Sequence, residues 1–340
     1  MQNTPGTLQP LRSRNRALLL RHVIDHGASS RAEIAEALGI SKVTITSIAN
    51  DLVANCLLIE TGRTEGASGR PAALVELYPK LGTVLGVDVQ PQVITSSASG
   101  ITMPKQRGLE TRVSSKGITA TLIAQLEGNR KEEVFGPLRH VMISVPAPVN
   151  AEGNVSEPSR VPDLSLERVR AWANDHQIEL QFENDVKLAS LAEHHHGAAQ
   201  NMPNFALLVE REGGVALGLM IDGQLYRGER GRAGEISLLR LPHNNRLVPL
   251  EKFPFKAREE ALAQMVSGFA IALDLGLILV HQHPPGKKQL NLTRRIRELM
   301  TSDIRVETSH FGEHGPLQGA LISSVIAAQN WLYDTGGSMF

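Results

Sequence analysis

Cysteine is almost missing from this sequence. The 340-residue chain holds one, Cys56, which excludes an intramolecular disulfide and a Cys-rich structural zinc site and points to a reducing compartment. Long apolar runs are missing as well. No stretch approaches the roughly 18 apolar residues of a membrane span, and the opening MQNTPGTLQPLRSRNRALLL has arginines but no apolar signal-peptide core. The expectation is a soluble, cytoplasmic protein with no membrane partner. Nor is there an excess of charge: 35 Lys and Arg face 35 Asp and Glu, so a uniformly basic nucleic-acid coat and a polyanionic tail are excluded, while a local basic surface is not. No short-period repeat or low-complexity tract occurs. What the chain does have is length and 41% apolar residues, enough for two or three domains at roughly 150 residues each.

The basic residues that matter sit early. Arg12, Arg14, Arg16 and Arg21 fall close together. Leu11, Leu18, Leu19, Val23 and Ile24 are spaced for one apolar helix face that should stop at Gly27. Ser30-Arg31-Ala32-Glu33 reads as a capping box opening a second helix to Leu38. Gly39-Ile40 then makes a turn, and Ser41 can cap a third helix carrying Val43, Ile45, Ile48, Leu52 and Val53. Helix, short turn, helix is the arrangement whose second helix enters a DNA major groove, and its start would present Ser41, Lys42, Thr44 and Ser47. Short hydroxyls and a lysine there can reach phosphates and base edges without steric conflict. Three helices alone would equally describe a plain bundle. Residues 57–60 and 73–77 read as two strands around a Gly-rich loop holding Arg63 and Arg70, a wing able to meet phosphates or a narrow minor groove.

After Tyr78-Pro79-Lys80 the pattern changes to apolar runs at 84–89, 141–145, 205–209 and 277–280, separated by helical stretches. That alternation is the mark of an α/β domain. The expected division is a winged helix-turn-helix DNA-binding domain at 1–80 and an α/β region at 81–340.

Gly69-Arg70-Pro71-Ala72 followed by Val84-Leu85-Gly86-Val87-Asp88-Val89 resembles the ROK family (repressor, open reading frame, kinase). The resemblance continues, in order, through Val145-Pro146-Ala147-Pro148-Val149, Glu183-Asn184-Asp185 and Gly231-Arg232-Ala233-Gly234-Glu235-Ile236. It implies a two-lobed actin-like (ribonuclease H-like) domain that binds ligand between its lobes. Members with an N-terminal winged helix are regulators of sugar uptake and use, and those without it are mostly sugar kinases.

Physical chemistry separates the two. Where the family's kinases have Gly-Gly-Thr after the first aspartate, this chain has Gln90-Pro91-Gln92; proline removes a backbone N–H and two amides fill phosphate space. The second phosphate loop is Glu212-Gly213-Gly214, whose glutamate would repel a triphosphate, and the adenosine-side Gly-Gly pair falls at His281-Gln282. No ATP use and no catalytic residue are therefore expected. Asp185 matches the kinase base; without a phosphoryl donor its carboxylate can accept from a sugar hydroxyl, and the plain alternative is a helix N-cap. The family's zinc positions fall at Leu238, Pro242, Asn244 and Pro249, so no metal is expected, and His194-His195-His196 point in three directions along a helix.

The resemblance places effector contacts at Asn184, Asp185, Glu235 and Glu251, and puts Arg160 where the family has an asparagine. A guanidinium there suits a sugar phosphate or acidic sugar. Alternatively, Arg160 pairs with a neighbouring carboxylate or the pocket binds nothing. The expected protein is a repressor of carbohydrate genes that binds a double-stranded operator as a homodimer or homotetramer. Two alternatives remain: a sugar kinase with an appended DNA-binding module, and a regulator controlled by a protein partner.

Overall fold

The computed structural model describes residues 8–63, 72–102, 106–112, 117–156, 161–211, 214–243, 245–282, 291–300 and 303–335. Helix α1 (Leu8–His26) ends at Gly27, and a two-residue strand β1 (Ser29–Ser30) leads into α2 (Arg31–Leu38). Ser30 and Glu33 form the reciprocal capping box: the Ser30 hydroxyl accepts the Glu33 N–H at 3.2 Å and the Glu33 carboxylate accepts the Ser30 N–H at 2.7 Å. After Gly39 turns the chain, Ser41 caps α3 (Lys42–Ala54). Strands β2 (Leu58–Arg63) and β3 (Ala73–Leu77) pair antiparallel, and β1 adds to the free edge of β3. Two details of the apolar pattern differ. On α1, Leu11 is exposed and Leu20 takes its place in the core, and on α3, Val43 is 81% exposed.

The rest is built on two five-stranded sheets of identical plan. The first comprises β4 (Thr83–Gln90), β5 (Val93–Gly100), β6 (Gln106–Arg112), β7 (Leu138–Val145) and β8 (Glu179–Asn184), in the order β6-β5-β4-β7-β8. The second comprises β9 (Phe205–Arg211), β10 (Gly214–Ile221), β11 (Gln224–Leu225), β14 (Leu277–Gln282) and β15 (Arg305–Thr308), in the order β11-β10-β9-β14-β15. In each, the first strand is central, the next two follow on one side, each antiparallel to its neighbour, and the last two lie on the other, each parallel to its neighbour. The hairpin β12 (Arg240–His243) and β13 (Arg246–Pro249) stands apart.

Helices fill three layers around these sheets. On the outer face of the first sheet lie α4 (Ile118–Glu132) and α5 (Leu166–Asp175), burying Ile118, Leu122, Val169 and Trp172 against Leu85, Val141 and Ile143. Covering the outer face of the second are α7 (Phe255–Ala272) and α8 (Leu292–Leu299), through Leu262, Val266, Leu292 and Ile296. Between the sheets run α6 (Asp185–His196) and α9 (Gly315–Thr335), which cross in close contact. Because both faces of both sheets are covered, β4 and β9 are nearly continuous apolar runs without alternation.

One core cluster joins the two parts of the chain. Leu19, Leu20 and Val23 of α1 and Ile45 and Leu52 of α3 pack with Leu81, Val84 and with Leu321, Val325, Ala328 and Leu332 of α9. The Arg21 guanidinium lies 5.0 Å from the Tyr333 ring centroid, adding a cation–π contact at the same junction. Among the described residues, no helix is long and apolar enough to cross a membrane.

Candidate functional site

The first site is a cleft of about 410 Å³ at the carboxyl ends of the central strands, bordered by Gln90, Pro91, Asp185, Arg211, Arg232 and Glu235. Asn184 closes β8, and its side-chain oxygen accepts the N–H groups of Val186 and Lys187, both at 3.1 Å. Asn184 is thus the N-cap of α6, and its amide N–H reaches the Ala147 carbonyl at 3.2 Å. Asp185 is not the cap. It is the first helical residue, one carboxylate oxygen accepting the Val186 N–H at 2.8 Å and the other turned into the cleft.

That second oxygen is engaged. Arg211, at the end of β9, donates to it at 2.9 Å, and the Gln90 amide stands 3.4 Å away. Gln90 also donates to Asp88 at 3.1 Å, and Asp88 accepts the Ser144 hydroxyl at 2.6 Å. The result is a polar chain, Ser144–Asp88–Gln90–Asp185–Arg211, which ties the central strand of one sheet to the central strand of the other across the cleft floor. Asp185 is 4% exposed, so its charge needs the Arg211 partner.

Burial, reinforced by the nearby Asp185 charge, raises the Asp88 carboxyl to about 6, against the opposing hydrogen bond from Ser144. Asp88 therefore holds its proton more tightly folded than unfolded. Its contribution to stability is complete below the ordinary value of 3.8 and is lost as pH rises through about 6. Asp88→Asn is expected to abolish this loss, making the variant more stable than the parent at pH 8 by on the order of 2–3 kcal/mol. The Tm of both proteins followed from pH 4 to pH 8 measures it; parallel curves would refute the assignment.

A second network braces the cleft from behind. Glu183 accepts the Arg227 guanidinium at 2.6 Å, and buried Lys187 donates to the Gly231 carbonyl. Burial lowers the Lys187 ammonium, while Glu183 and Glu235 oppose that shift. The Gly231-Arg232-Ala233-Gly234-Glu235 segment is in this way fastened to α6, which brings Glu235 to the cleft.

The sequence-derived site residues distribute unevenly. Asn184, Asp185 and Glu235 border the cleft, although most of the Asn184 amide is spent on backbone. Glu251 lies exposed in a short turn outside the cleft lining. Arg160, Arg70, Glu212 and Asn244 fall outside the described residues, and Arg63 is described only as the last residue of β2. At the family's zinc positions Leu238, Pro242 and Pro249 offer no ligating atom, and the hairpin there packs His243 on Phe253 with ring centroids 5.1 Å apart. Of the histidine run, His194 stacks on Phe205 while His195 and His196 are exposed. No group of three metal-ligating side chains occurs among the described residues.

Arg211 is not legible in the sequence as a site residue. It ends an apolar strand directly before Glu212-Gly213-Gly214, and a lone arginine there reads as a solvated strand end. Only the folded chain places it opposite Asp185.

The second site is the outer face of α3. Ile45, Ile48, Ala49 and Leu52 face the core at helical spacing, so residues 43, 46, 47 and 50 form the opposite stripe. A shallow concavity is bordered by Lys42, Val43, Thr46, Ser47 and Asn50, with no carboxylate among them. Ser41 and Thr44 are occupied with each other: the Ser41 hydroxyl accepts the Thr44 N–H at 3.1 Å and meets the Thr44 hydroxyl at 2.8 Å. Lys42 and Ser47 are exposed. Arg31 donates to Asn50 at 3.0 Å and to Glu60 at 2.6 Å, pinning α2, α3 and β2 together.

Comparison with known proteins gives one family and two kinds of relative. The ROK family profile matches residues 96–247. The xylose repressor of Bacillus subtilis (strain 168) is 25% identical over 238 residues, covering 68% of this chain and 61% of that protein. The DNA-binding transcriptional dual regulator NagC of Escherichia coli (strain K12) is 24% identical over 244 residues, covering 68% of this chain and 58% of that protein. This chain thus spans about three fifths of the length of such relatives. Among solved structures, a ROK family transcriptional regulator, a homolog of the E. coli MLC protein, superposes with a TM-score of 0.66 at 17% identity, covering 97% of this chain and 98% of that one. A ROK hexokinase from Thermus thermophilus gives 0.57 at 18% identity over 73% of this chain and 99% of its own.

Proposed function

We propose that the chain is a member of the ROK family, whose profile matches residues 96–247, and that it is a DNA-binding transcriptional regulator, a repressor of carbohydrate uptake or catabolism genes under the control of a sugar-derived effector. Residues 1–80 are a winged helix-turn-helix domain and 81–340 a two-lobed actin-like effector and oligomerisation region. The observation that carries the regulator reading is the state of Asp185. A general base must have an oxygen free to take a hydroxyl proton. Here that oxygen is held by Arg211 with Gln90 beside it, in a cleft bordered by Gln90 and Pro91. We expect neither ATP nor zinc to bind.

The concavity on α3 supports DNA as the partner, because no carboxylate stands among Lys42, Val43, Thr46, Ser47 and Asn50, which border it. A homodimer or homotetramer fits a pseudo-palindromic operator, since one such helix reads one half-site. The xylose repressors and NagC are the relatives whose names carry the same reading.

A mechanical route between the sites follows from packing. Asp185 opens α6, α6 crosses α9, and the far half of α9 shares a core with α1 and α3. An effector that breaks or tightens the Asp185–Arg211 pair changes the seating of α6, and through α9 the placement of the DNA-binding helices. An anionic sugar derivative suits Arg211 and Arg232, and only its unequal affinity for the two arrangements can move the balance.

The test is direct. Purified protein should retard promoter DNA, and Lys42→Ala should weaken binding and lower the slope of its salt dependence by about one released counterion for each Lys42 removed. An unchanged salt slope would refute a phosphate contact by Lys42. Thermal melting against sugars, sugar phosphates and sugar acids should show stabilisation of about 2.7 kcal/mol at a hundredfold excess over Kd. ATP-dependent phosphorylation of a hexose would instead establish a kinase.

A further inference from the structure

Outside the cleft, Val43 is the most exposed large hydrophobic side chain among the described residues, and stability does not explain it. It sits in the first turn of α3, 81% exposed, on a helix whose other large aliphatics are buried or partly buried. Its placement follows from register. Val43 precedes Ile45 by two residues, which is about 200° of rotation at 3.6 residues per turn, so a helix that buries Ile45, Ile48 and Leu52 must turn Val43 outward. Valine is also a poor choice for an exposed helix position, because its β-branch restricts χ1 and lowers helix propensity. That stiffness has one use: it holds two methyl groups in a fixed direction.

The neighbours of Val43 define what it meets. Lys42, Thr46, Ser47 and Asn50 share its face and supply one positive charge, hydroxyls and an amide, with no carboxylate. This set complements a polyanion whose surface carries donors, acceptors and isolated methyl groups, which describes the major groove. The only methyl group on an unmodified base edge there is the 5-methyl of thymine.

We infer that Val43 reads a thymine 5-methyl group in each operator half-site, and is a sequence-specifying residue beside the phosphate-anchoring Lys42. This rests on the DNA-binding reading above. Val43 contributes discrimination between thymine and cytosine at one position, and the polar side chains of the same stripe contribute hydrogen bonds to adjacent positions.

The experiment uses the full chain. Binding sequences are selected from a random duplex library, and the selected consensus is then synthesised with each thymine replaced in turn by uracil, which deletes one methyl group and preserves pairing. The expected result is one thymine per half-site whose replacement weakens binding roughly fourfold, the worth of one buried methyl. V43A should bind the thymine duplex more weakly by a similar factor and be indifferent to uracil at that same position. Its melting temperature should equal or slightly exceed that of the parent, because the side chain is exposed and alanine has the higher helix propensity. Sensitivity to uracil that persists unchanged in V43A, or a uracil scan that is flat, overturns the inference while leaving DNA binding in place. Failure to select any sequence overturns the DNA-binding reading itself and this inference with it. A shift in the oligomeric state of DNA-free V43A would assign Val43 to a contact between copies and overturn the inference.

Discussion

Arg211→Ala is expected to lose about 2–3 kcal/mol of stability and, on the proposed function, the response to effector with it. The substitution removes the ion-pair partner of a carboxylate that is 4% exposed. Breaking a fully buried pair costs about 3–5 kcal/mol; Arg211→Ala costs less because the arginine side chain retains 28% exposure. The informative comparison is with Arg211→Ala combined with Asp185→Asn. An amide needs no counter-charge, so the double variant should recover most of the stability. It should not recover the effector-induced rise in Tm, since neither half of the pair is then able to respond. Urea unfolding of the four proteins gives the coupling energy directly. Additive losses would mean that Arg211 and Asp185 do not act as a pair.

The second large effect lies at a helix crossing. A side chain at Gly319 would place its Cβ on the Leu188 carbonyl oxygen, where α9 passes α6 backbone to backbone, and at Gly86 it would meet the Leu321 backbone. Neither obstacle is the flexible end of a side chain, so the helices must separate. Gly319→Val should therefore exceed the usual overpacking cost of about 1–3 kcal/mol and yield little folded protein. Gly319→Ala should fold with a lowered Tm and, on the proposed function, an altered effector response, because the crossing lies between the cleft and helices α1 and α3. The comparison that decides is the midpoint of urea unfolding set beside operator affinity. Gly319→Ala with unchanged values of both would show that the crossing has room for a methyl group and that its spacing does not govern DNA binding.

Short-range features are legible in the sequence. The Ser30–Glu33 capping box, the Ser41 cap and the turn at Gly39 all depend on residues a few positions apart; of the strands read at 57–60 and 73–77, the second is β3 and the first begins one residue later and runs on through Gly62 and Arg63, which read as loop. The apolar runs at 84–89, 141–145, 205–209 and 277–280 lie within β4, β7, β9 and β14 because strands covered on both faces have no polar side to show. Sequence and structure part where one residue of an apolar set must be assigned to a face. Val43 and Leu11 are as hydrophobic as their neighbours, and only angular position around the helix decides which are buried. Asp185 reads as a possible cap in the sequence, whereas Asn184 is the cap in the fold, a difference of one position that turns a carboxylate from the helix end into the cleft.

Sequence alone determined the local grammar: where helices begin, which segments are strands, and that an amide-proline-amide run and a glutamate stand where the family's kinases have phosphate loops. Tertiary structure decided everything that depends on residues far apart in the chain. It placed Arg211 on Asp185 and Gln90 between Asp88 and Asp185, spanning 26 and 95 residues of chain for the two contacts to Asp185. It also seated the end of the chain, in α9, against its beginning, in α1. Backbone propensities and caps act over a few residues, so they leave a periodic trace. A long-range ion pair or a shared core arises from the closing of two sheets upon each other and leaves none.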